Sequence, residues 1–249
     1  MKEAGRWFIT GLLYIWGGFW GILYIVIILT ATLLFPLGSY EKLVRYGART
    51  MLFLMGIRLR TEGESALPHT PAIYMSNHVN LFDVFVLGAA IPGLKRGVEA
   101  AEHFRWPVWG AMIRRVGNIP IERSNLSEAK KSLSAAVDAV NRGMSIVILP
   151  EGHRTRDGGL QEFKKGPFHM AKAAGIPVIP VGLNGMWEIK RYHNPHWRPG
   201  KVTARFGAPI QAEKVQTLTV EELREETRLA LLSLIDYDHT PRRRAPIGV

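Results

Sequence analysis

The chain has 249 residues, enough for one sizeable domain with an appended segment. It contains no cysteine, which excludes disulfides, thiolate nucleophiles and cysteine-ligated zinc or iron-sulfur sites. The formal net charge of +11 favours polyanionic partners. Charge alone leaves two partner classes open, namely nucleic acid and an anionic membrane surface with phosphate-bearing ligands.

A long apolar segment rich in aromatic residues occupies positions 7–35. As a helix it would be about 43 Å long, which exceeds the roughly 30 Å hydrocarbon core of a bilayer. The segment is too long for the core of a signal peptide, so we predict an uncleaved membrane segment. Its orientation stays open, because basic residues flank it on both sides: Lys2, Arg6, Lys42, Arg45 and Arg49.

A second helix is predicted at residues 40–57, with cations on one face and apolar residues on the other. Such a helix suits the plane of a membrane interface. A helical hairpin in one leaflet is therefore an alternative to a spanning helix. We expect residues 1–58 to form a helical membrane anchor and residues 59–249 to form the globular domain.

Beyond the anchor, short apolar strands alternate with amphipathic helices, which predicts an α/β fold with a mixed central sheet flanked by helices. The predicted strands are 72–76, 97–101, 117–121, 145–149, 178–183 and 202–206. The predicted helices are 81–90, 106–115, 125–142, 167–175 and 220–235.

The strongest chemical signal is His78, followed five residues later by Asp83. On a regular helix the two side chains would point about 140° apart, so His78 must lie in a loop if they are to meet. Asn80 is a good N-cap for a helix over residues 81–90, with Asp83 at its third position. The pair predicts a general base and the acid that orients it. The alternative is a capping carboxylate beside an ordinary turn histidine.

Polar residues also follow two other predicted strands, and the carboxyl ends of strands are where α/β sheets bind ligands. Arginine suits bidentate phosphate contacts. We therefore predict a phosphate site, unless each charge is simply solvated. The residues of this predicted site are Arg123, Arg154, Lys164 and Lys165.

These stretches resemble the glycerolipid acyltransferases, specifically the 1-acyl-sn-glycerol-3-phosphate acyltransferases. Residues 78–83 are similar to the HxxxxD signature, and residues 117–123 to the family's second motif. Residues 150–154 are similar to the third motif and 178–181 to the fourth. One HxxxxD is weak evidence, whereas the ordered set is strongly specific.

The resemblance implies a reaction in which His78 is the general base toward the sn-2 hydroxyl of lysophosphatidic acid and Asp83 orients its ring. The hydroxyl would attack a thioester of coenzyme A or acyl carrier protein directly, with no acyl-enzyme, metal or cofactor, to give phosphatidic acid. Arg123 and Arg154 would hold the phosphate, and Glu151 and Gly152 would shape that site. The acyl-chain side would be lined by Val178, Ile179, Pro180 and Val181.

The resemblance also implies association with a membrane, the bacterial inner membrane, with the catalytic domain on its cytoplasmic side. The expected partners are the lysophosphatidate acceptor, the acyl donor and the bilayer. Nucleic acid is not expected, because no DNA- or RNA-binding motif is present.

The chain departs from the family pattern at two positions. His153 stands where the family commonly has threonine, and residues 100–104 lack the family's lysine. Lys95, Arg96 or Arg105 would have to replace that cation.

Three other functions stay open. The chain could acylate another lysolipid or glycerol 3-phosphate, which the missing lysine allows. It could be a metal-dependent hydrolase with His78, Asp83 and Glu151 as ligands, although no HExxH-type pair occurs. It could also be a non-catalytic lipid-binding or nucleic-acid-binding protein.

Overall fold

A computed structural model describes residues 3–36, 38–122 and 126–236 of the chain. Lys2, Arg123 and Asn125, to which the sequence analysis gave roles, lie outside these residues. The described part contains one central sheet with helices on both faces, so the predicted α/β fold class is confirmed.

The sheet has seven strands within the described residues, in the order β1-β7-β6-β2-β5-β3-β4. Neighbouring strands are parallel, except that β7 runs antiparallel to β6. The carboxyl ends of β2, β3, β4, β5 and β6 therefore lie at one edge of the sheet. The strands are β1 (Ile57–Glu62), β2 (Ile73–Ser76), β3 (Lys95–Ala100), β4 (Ile119–Ile121), β5 (Ser145–Ile148), β6 (Val178–Asn184) and β7 (Gly200–Phe206).

Helices cover both faces of the sheet because successive side chains of a strand point to opposite faces and are apolar on both. Tyr74 of β2 packs with α2 and α3, whereas Ile73 and Met75 pack with α5, α6 and α9. The helices are α1 (Glu3–Leu34), α2 (Glu41–Leu54), α3 (Asp83–Ala90), α4 (Trp109–Val116), α5 (Leu126–Asn141), α6 (Gly166–Ala174), α7 (Met186–Ile189), α8 (Ala212–Thr217) and α9 (Val220–Leu234).

The predicted second helix was too long at its C-terminal end, because Gly56 adopts a φ of 73° and ends it. Ile57 instead begins β1, a strand that the sequence analysis missed and that pairs with β7. The helix buries Ala48, Met51 and Leu52 in the same core as the sheet. Its buried face therefore contacts the protein, and the predicted boundary between residues 58 and 59 stays a prediction.

Helix α1 lies against the domain along its length. Near its start, the Tyr14 hydroxyl donates a 3.0 Å hydrogen bond to the carbonyl of Pro195. In its middle, Tyr24 donates to the carbonyl of Val44 at 3.1 Å, and near its end the Thr32 carbonyl accepts from Arg115 at 3.3 Å. The helix thus follows the surface of the domain instead of projecting from it.

The outer face of α1 is apolar from end to end. Its exposed side chains recur at helical spacing, and its segment Trp7–Leu34 is long and apolar enough to cross a membrane. Since water is a poor solvent for so large an apolar surface, this face is suited to lipid. The stripe comprises Phe8, Ile15, Phe19, Ile22, Val26 and Leu33.

Candidate active site

The loop after β2 holds His78 in a fixed position through two asparagine side chains. The Asn77 amide forms a hydrogen-bonded pair with the main chain of Leu183, accepting from its N–H at 2.7 Å and donating to its carbonyl at 3.0 Å. The Asn80 amide donates to the carbonyl of Met186 at 3.0 Å. These contacts continue the pairing of β2 with β6 beyond the last paired residues of the two strands. They fix the loop that follows β2.

His78 and Asp83 form the predicted pair. Nδ1 of His78 lies 2.8 Å from Oδ2 of Asp83, and the same oxygen accepts the N–H groups of Val79 at 2.6 Å and Asn80 at 3.0 Å. The Asp83 side chain is fully buried, whereas the His78 side chain is 19% exposed. Because Asp83 occupies Nδ1, Nε2 is the ring nitrogen that can take a proton from a substrate.

Helix α3 begins at Asp83, two residues later than predicted. The reason is that the Asn80 side chain accepts a 2.8 Å hydrogen bond from the N–H of Phe82 and so closes a separate turn. Asp83 then directs its carboxylate back to the N–H groups of that turn. The residue is a capping acid and the partner of His78 at the same time, so the two sequence interpretations are compatible.

Glu151 supports His78 from the neighbouring strand. One carboxylate oxygen accepts the main-chain N–H of His78 at 2.6 Å, and the other accepts that of Gln161 at 2.7 Å. The residue is 1% exposed, and burial raises its pKa to about 8 against the two hydrogen bonds that favour the charged form. Glu151, predicted in the phosphate site, therefore contacts the base's main chain in this structure.

The loop after β5 brings cations near His78. The N–H of Thr155 donates to the His78 carbonyl at 2.8 Å. The adjacent Arg154 is exposed, with its guanidinium 5.0 Å from the centre of the Tyr192 ring. Burial lowers the pKa of Lys190, and the nearby charge of Arg154 lowers it further. Arg154 and Lys190 thus form a basic group beside the pair of His78 and Asp83.

The other predicted phosphate ligands are dispersed. Gly152 follows Glu151 in the same turn with a φ of 75°, and the main chain of Lys164 donates to the carbonyl of Pro150 at 2.8 Å. Lys165 instead directs its ammonium to the Glu221 carboxylate of α9 at 2.5 Å. The structure thus joins Gly152 and Lys164 to the loop after β5, and their phosphate roles stay predictions, as does that of Arg123.

The four residues predicted to lie on the acyl-chain side are all in the core of the protein. Ile179 and Val181 contribute to the core on the α2 and α3 face, and Val178 to the core on the opposite face. Pro180 is buried between them in β6. Contact of these residues with an acyl chain stays a prediction.

Two of the three residues suggested as replacements for the missing lysine, Lys95 and Arg96, are wrong. Lys95 and Arg96 begin β3, whereas residues 100–104, which lack the family's lysine, lie at its end and in the turn that follows. A strand of this length separates its ends by about 17 Å, at 3.3 Å per residue. Lys95 also lies against Glu41 at 3.7 Å. Arg105, exposed beyond the end of β3, is the remaining candidate.

Sequence reasoning identified Asn80 only as a helix N-cap, and it missed the contacts by which Asn77 and Asn80 fix the loop. Asn77 and Asn80 flank His78 in a row of polar residues after a buried strand, and that position was a usable signal. Lys190 was missed because a sequence pattern does not give strand order. It follows β6, which the sheet places beside β2.

The candidate metal set of the hydrolase alternative gains no geometric support. Within the described ranges, no three His, Asp or Glu side chains converge in a way that could hold a metal ion. The site joins a partly exposed histidine to a fully buried carboxylate.

The sequence model of the Acyltransferase family matches residues 58–184, about half of the chain and the stretch that contains this site. The chain therefore belongs to the Acyltransferase family, and it is an acyltransferase by that membership. The family resemblance noted in the sequence is confirmed.

Two relatives bear the name 1-acyl-sn-glycerol-3-phosphate acyltransferase. The protein of Salmonella typhimurium is 36% identical over 188 residues, which are 74% of this chain and 74% of that protein. The coconut protein, from Cocos nucifera, is 29% identical over 200 residues, or 80% of this chain. The match spans 63% of the coconut protein's own length.

The fold is also that of a solved structure. The crystal structure of the LPA acyltransferase PlsC from Thermotoga maritima superposes with a TM-score of 0.74 at 21% sequence identity. The match covers 91% of this chain and 95% of that one. At this identity the likeness establishes the fold.

The raised pKa of Glu151 predicts that stability falls as pH rises. In the folded chain this carboxyl keeps its proton up to about pH 8, whereas in the unfolded chain it loses it near pH 4.5. The folded state therefore binds more protons across this window, and stability should decline by up to about 1.4 kcal/mol per pH unit. Thermal unfolding of wild type and Glu151→Gln between pH 5 and 8 measures this decline.

We expect the decline in wild type and a much flatter profile in Glu151→Gln, whose amide does not titrate. Glu162→Gln is the matched control, because Glu162 lies in the loop after Gln161 with its side chain 85% exposed. A Glu151→Gln profile as steep as that of wild type would contradict the assignment.

Proposed function

We propose that the chain transfers a fatty acyl group from an acyl thioester to the sn-2 hydroxyl of lysophosphatidic acid, giving phosphatidic acid for phospholipid synthesis. The observation that carries this proposal is the pair of His78 and Asp83, joined at 2.8 Å beside the cations Arg154 and Lys190. The names of the two relatives support the choice of acceptor.

The reaction follows from the orientation of the imidazole. Nε2 of His78 accepts the proton of the acceptor's hydroxyl while its oxygen attacks the thioester carbonyl. The carbon-sulfur bond breaks, an ester bond forms, and the proton passes to the departing thiol. Asp83 favours the required ring tautomer and stabilises the imidazolium as it forms.

The acceptor's phosphate is assigned to Arg154, with Lys190 and Arg123 as further ligands. A phosphate there would neutralise charges that otherwise repel each other, since the charge of Arg154 lowers the pKa of Lys190. This site lies at the same sheet edge as His78, so one lysolipid could contact both.

The acceptor's origin in a bilayer accounts for the apolar helix. Contacts from Tyr14 to Thr32 hold α1 along the domain, so the apolar stripe faces away from the protein. We infer that α1 lies in one leaflet and that the chain works at the cytoplasmic face of a bacterial inner membrane. The lipid would then reach His78 without leaving the membrane.

A specific observation also keeps a second acceptor in consideration. Residues 100–104, at the end of β3 and in the following turn, contain no lysine, where the family often has one. A smaller cationic site could favour another lysolipid or glycerol 3-phosphate as acceptor. The donor, coenzyme A or acyl carrier protein, is a further variable.

The direct test offers the purified full-length protein a labelled acyl thioester on each carrier, together with lysophosphatidate, other lysolipids and glycerol 3-phosphate. We expect lysophosphatidate to gain the label. His78→Ala should slow transfer by at least about 10²-fold, the typical contribution of a general base. His169→Ala, an exposed histidine on α6, is the matched control and should retain the wild-type rate.

Label on another acceptor would favour the second candidate. Failure of wild type to label any acceptor would contradict the proposed activity and favour a lipid-binding role. A folded His78→Ala protein with near-normal turnover would contradict the role of the base.

Replacement of Arg154 should weaken acceptor binding specifically. We expect Arg154→Gln to raise the apparent KM for lysophosphatidate by about tenfold, as for loss of one charge-assisted hydrogen bond, with a much smaller effect on kcat. Initial rates in mixed micelles, with the mole fraction of acceptor varied, measure both constants.

Lys165→Gln is the control, because its ammonium is paired with Glu221 on α9. It removes the same charge and should leave KM within about twofold, the scale of a screened surface charge. Equal constants for Arg154→Gln and wild type would refute the phosphate contact.

A further inference from the structure

A second basic site lies at the opposite edge of the sheet. A cavity of about 420 Å³ opens where the ends of α1, α4 and α5 meet the starts of β3 and β4. We call it the arginine cavity, since three arginines line it: Arg96, Arg115 and Arg142. His78 follows the carboxyl end of β2, whereas the cavity lies at the starts of β3 and β4. The length of the strands therefore separates the two sites.

The three guanidiniums have most of their hydrogen-bonding capacity left over. Each donates one hydrogen bond to a main-chain carbonyl, Arg96 to Lys95 at 3.0 Å, Arg115 to Thr32 at 3.3 Å and Arg142 to Asp138 at 3.1 Å. A guanidinium has five N–H groups. Arg115 and Arg142 each cap the end of a helix, α1 and α5 respectively. Capping does not explain why three arginines converge on one cavity.

The charges in the cavity are poorly balanced. Among the described residues, none of the three arginines forms an ion pair, although the Asp138 carboxylate also lines the cavity. Three cations against one carboxylate leave a positive field, which attracts an anion.

Arg96 makes the imbalance costly. It is only 7% exposed, and burial lowers the pKa of its guanidinium. The neighbouring Tyr40 raises this pKa, and the charge of Arg142 lowers it. A buried guanidinium without a carboxylate partner is unfavourable. A bound anion would supply that partner, and phosphate matches the guanidinium geometry.

The cavity also adjoins the apolar stripe. Thr32 and Phe35, at the end of α1, form part of its lining, and Leu33 and Phe35 are exposed there. A ligand with an anionic head and apolar tails would satisfy both surfaces. We propose that the arginine cavity binds the phosphate of an anionic glycerophospholipid from the membrane in which α1 lies, as a second lipid site that takes no part in acyl transfer.

The test measures lipid binding to the full-length protein in non-ionic detergent without an acyl donor. Calorimetry compares three probes: dihexanoyl phosphatidylglycerol, dihexanoyl phosphatidylcholine and inorganic phosphate. We expect phosphatidylglycerol to bind most tightly. The double variant Arg115→Gln with Arg142→Gln should weaken its binding at least about tenfold, the factor for one lost charge-assisted hydrogen bond.

A matched control removes two charges elsewhere. Arg58 and Lys201 are exposed neighbours on β1 and β7, outside the cavity. Arg58→Gln with Lys201→Gln should leave binding within about twofold, as expected for long-range charge at physiological salt. If the double cavity variant fails to fold, Arg142→Gln alone provides the test, because Arg142 is exposed.

Three results would overturn the proposal: unchanged affinity in the cavity variant, an equal loss in the control variant, or inorganic phosphate binding as tightly as phosphatidylglycerol. The last would assign the cavity to a free anion. Failure here is distinguishable from failure of the proposed function, since the cavity variant should acylate lysophosphatidate at the wild-type rate.

Discussion

The site depends on one carboxylate oxygen. Oδ2 of Asp83 lies 2.8 Å from Nδ1 of His78 and accepts hydrogen bonds from the main-chain N–H groups of Val79 and Asn80, at 2.6 and 3.0 Å. The same buried atom therefore shapes the loop and orients the imidazole. Glu151 adds a second fixed point by binding the His78 main-chain N–H from the adjacent strand. The imidazole is consequently held from two directions before a substrate arrives, which is the preorganisation that acyl transfer requires.

The sheet and the apolar helix belong to the same domain. The sheet fixes the position of His78 through Asn77 and its contact with β6. The helix α1 lies along the same domain instead of extending away from it, so the loop with His78 and the apolar stripe are parts of one folded unit. Under the proposed function, this arrangement would let His78 act on a lipid that is only partly withdrawn from the bilayer.

Local patterns predicted much of this structure, and the failures share a cause. The alternation of apolar strands with helices and the meeting of His78 with Asp83 depend on nearby residues, so the sequence was sufficient. Strand order and strand direction depend on distant residues. Lys190 was therefore overlooked beside Arg154. The end of α2 depended on the φ of one residue, Gly56, which a periodic pattern does not reveal.

The tautomer of His78 is the most direct test of how Asp83 orients its ring. Nitrogen-15 NMR of histidine-labelled full-length protein above the ring's titration, with the signal assigned by its loss in His78→Ala, reports which ring nitrogen carries the proton. The geometry predicts a proton on Nδ1, bound to Asp83, and an unprotonated Nε2. A ring with its proton on Nε2 and a bare Nδ1 would contradict the account.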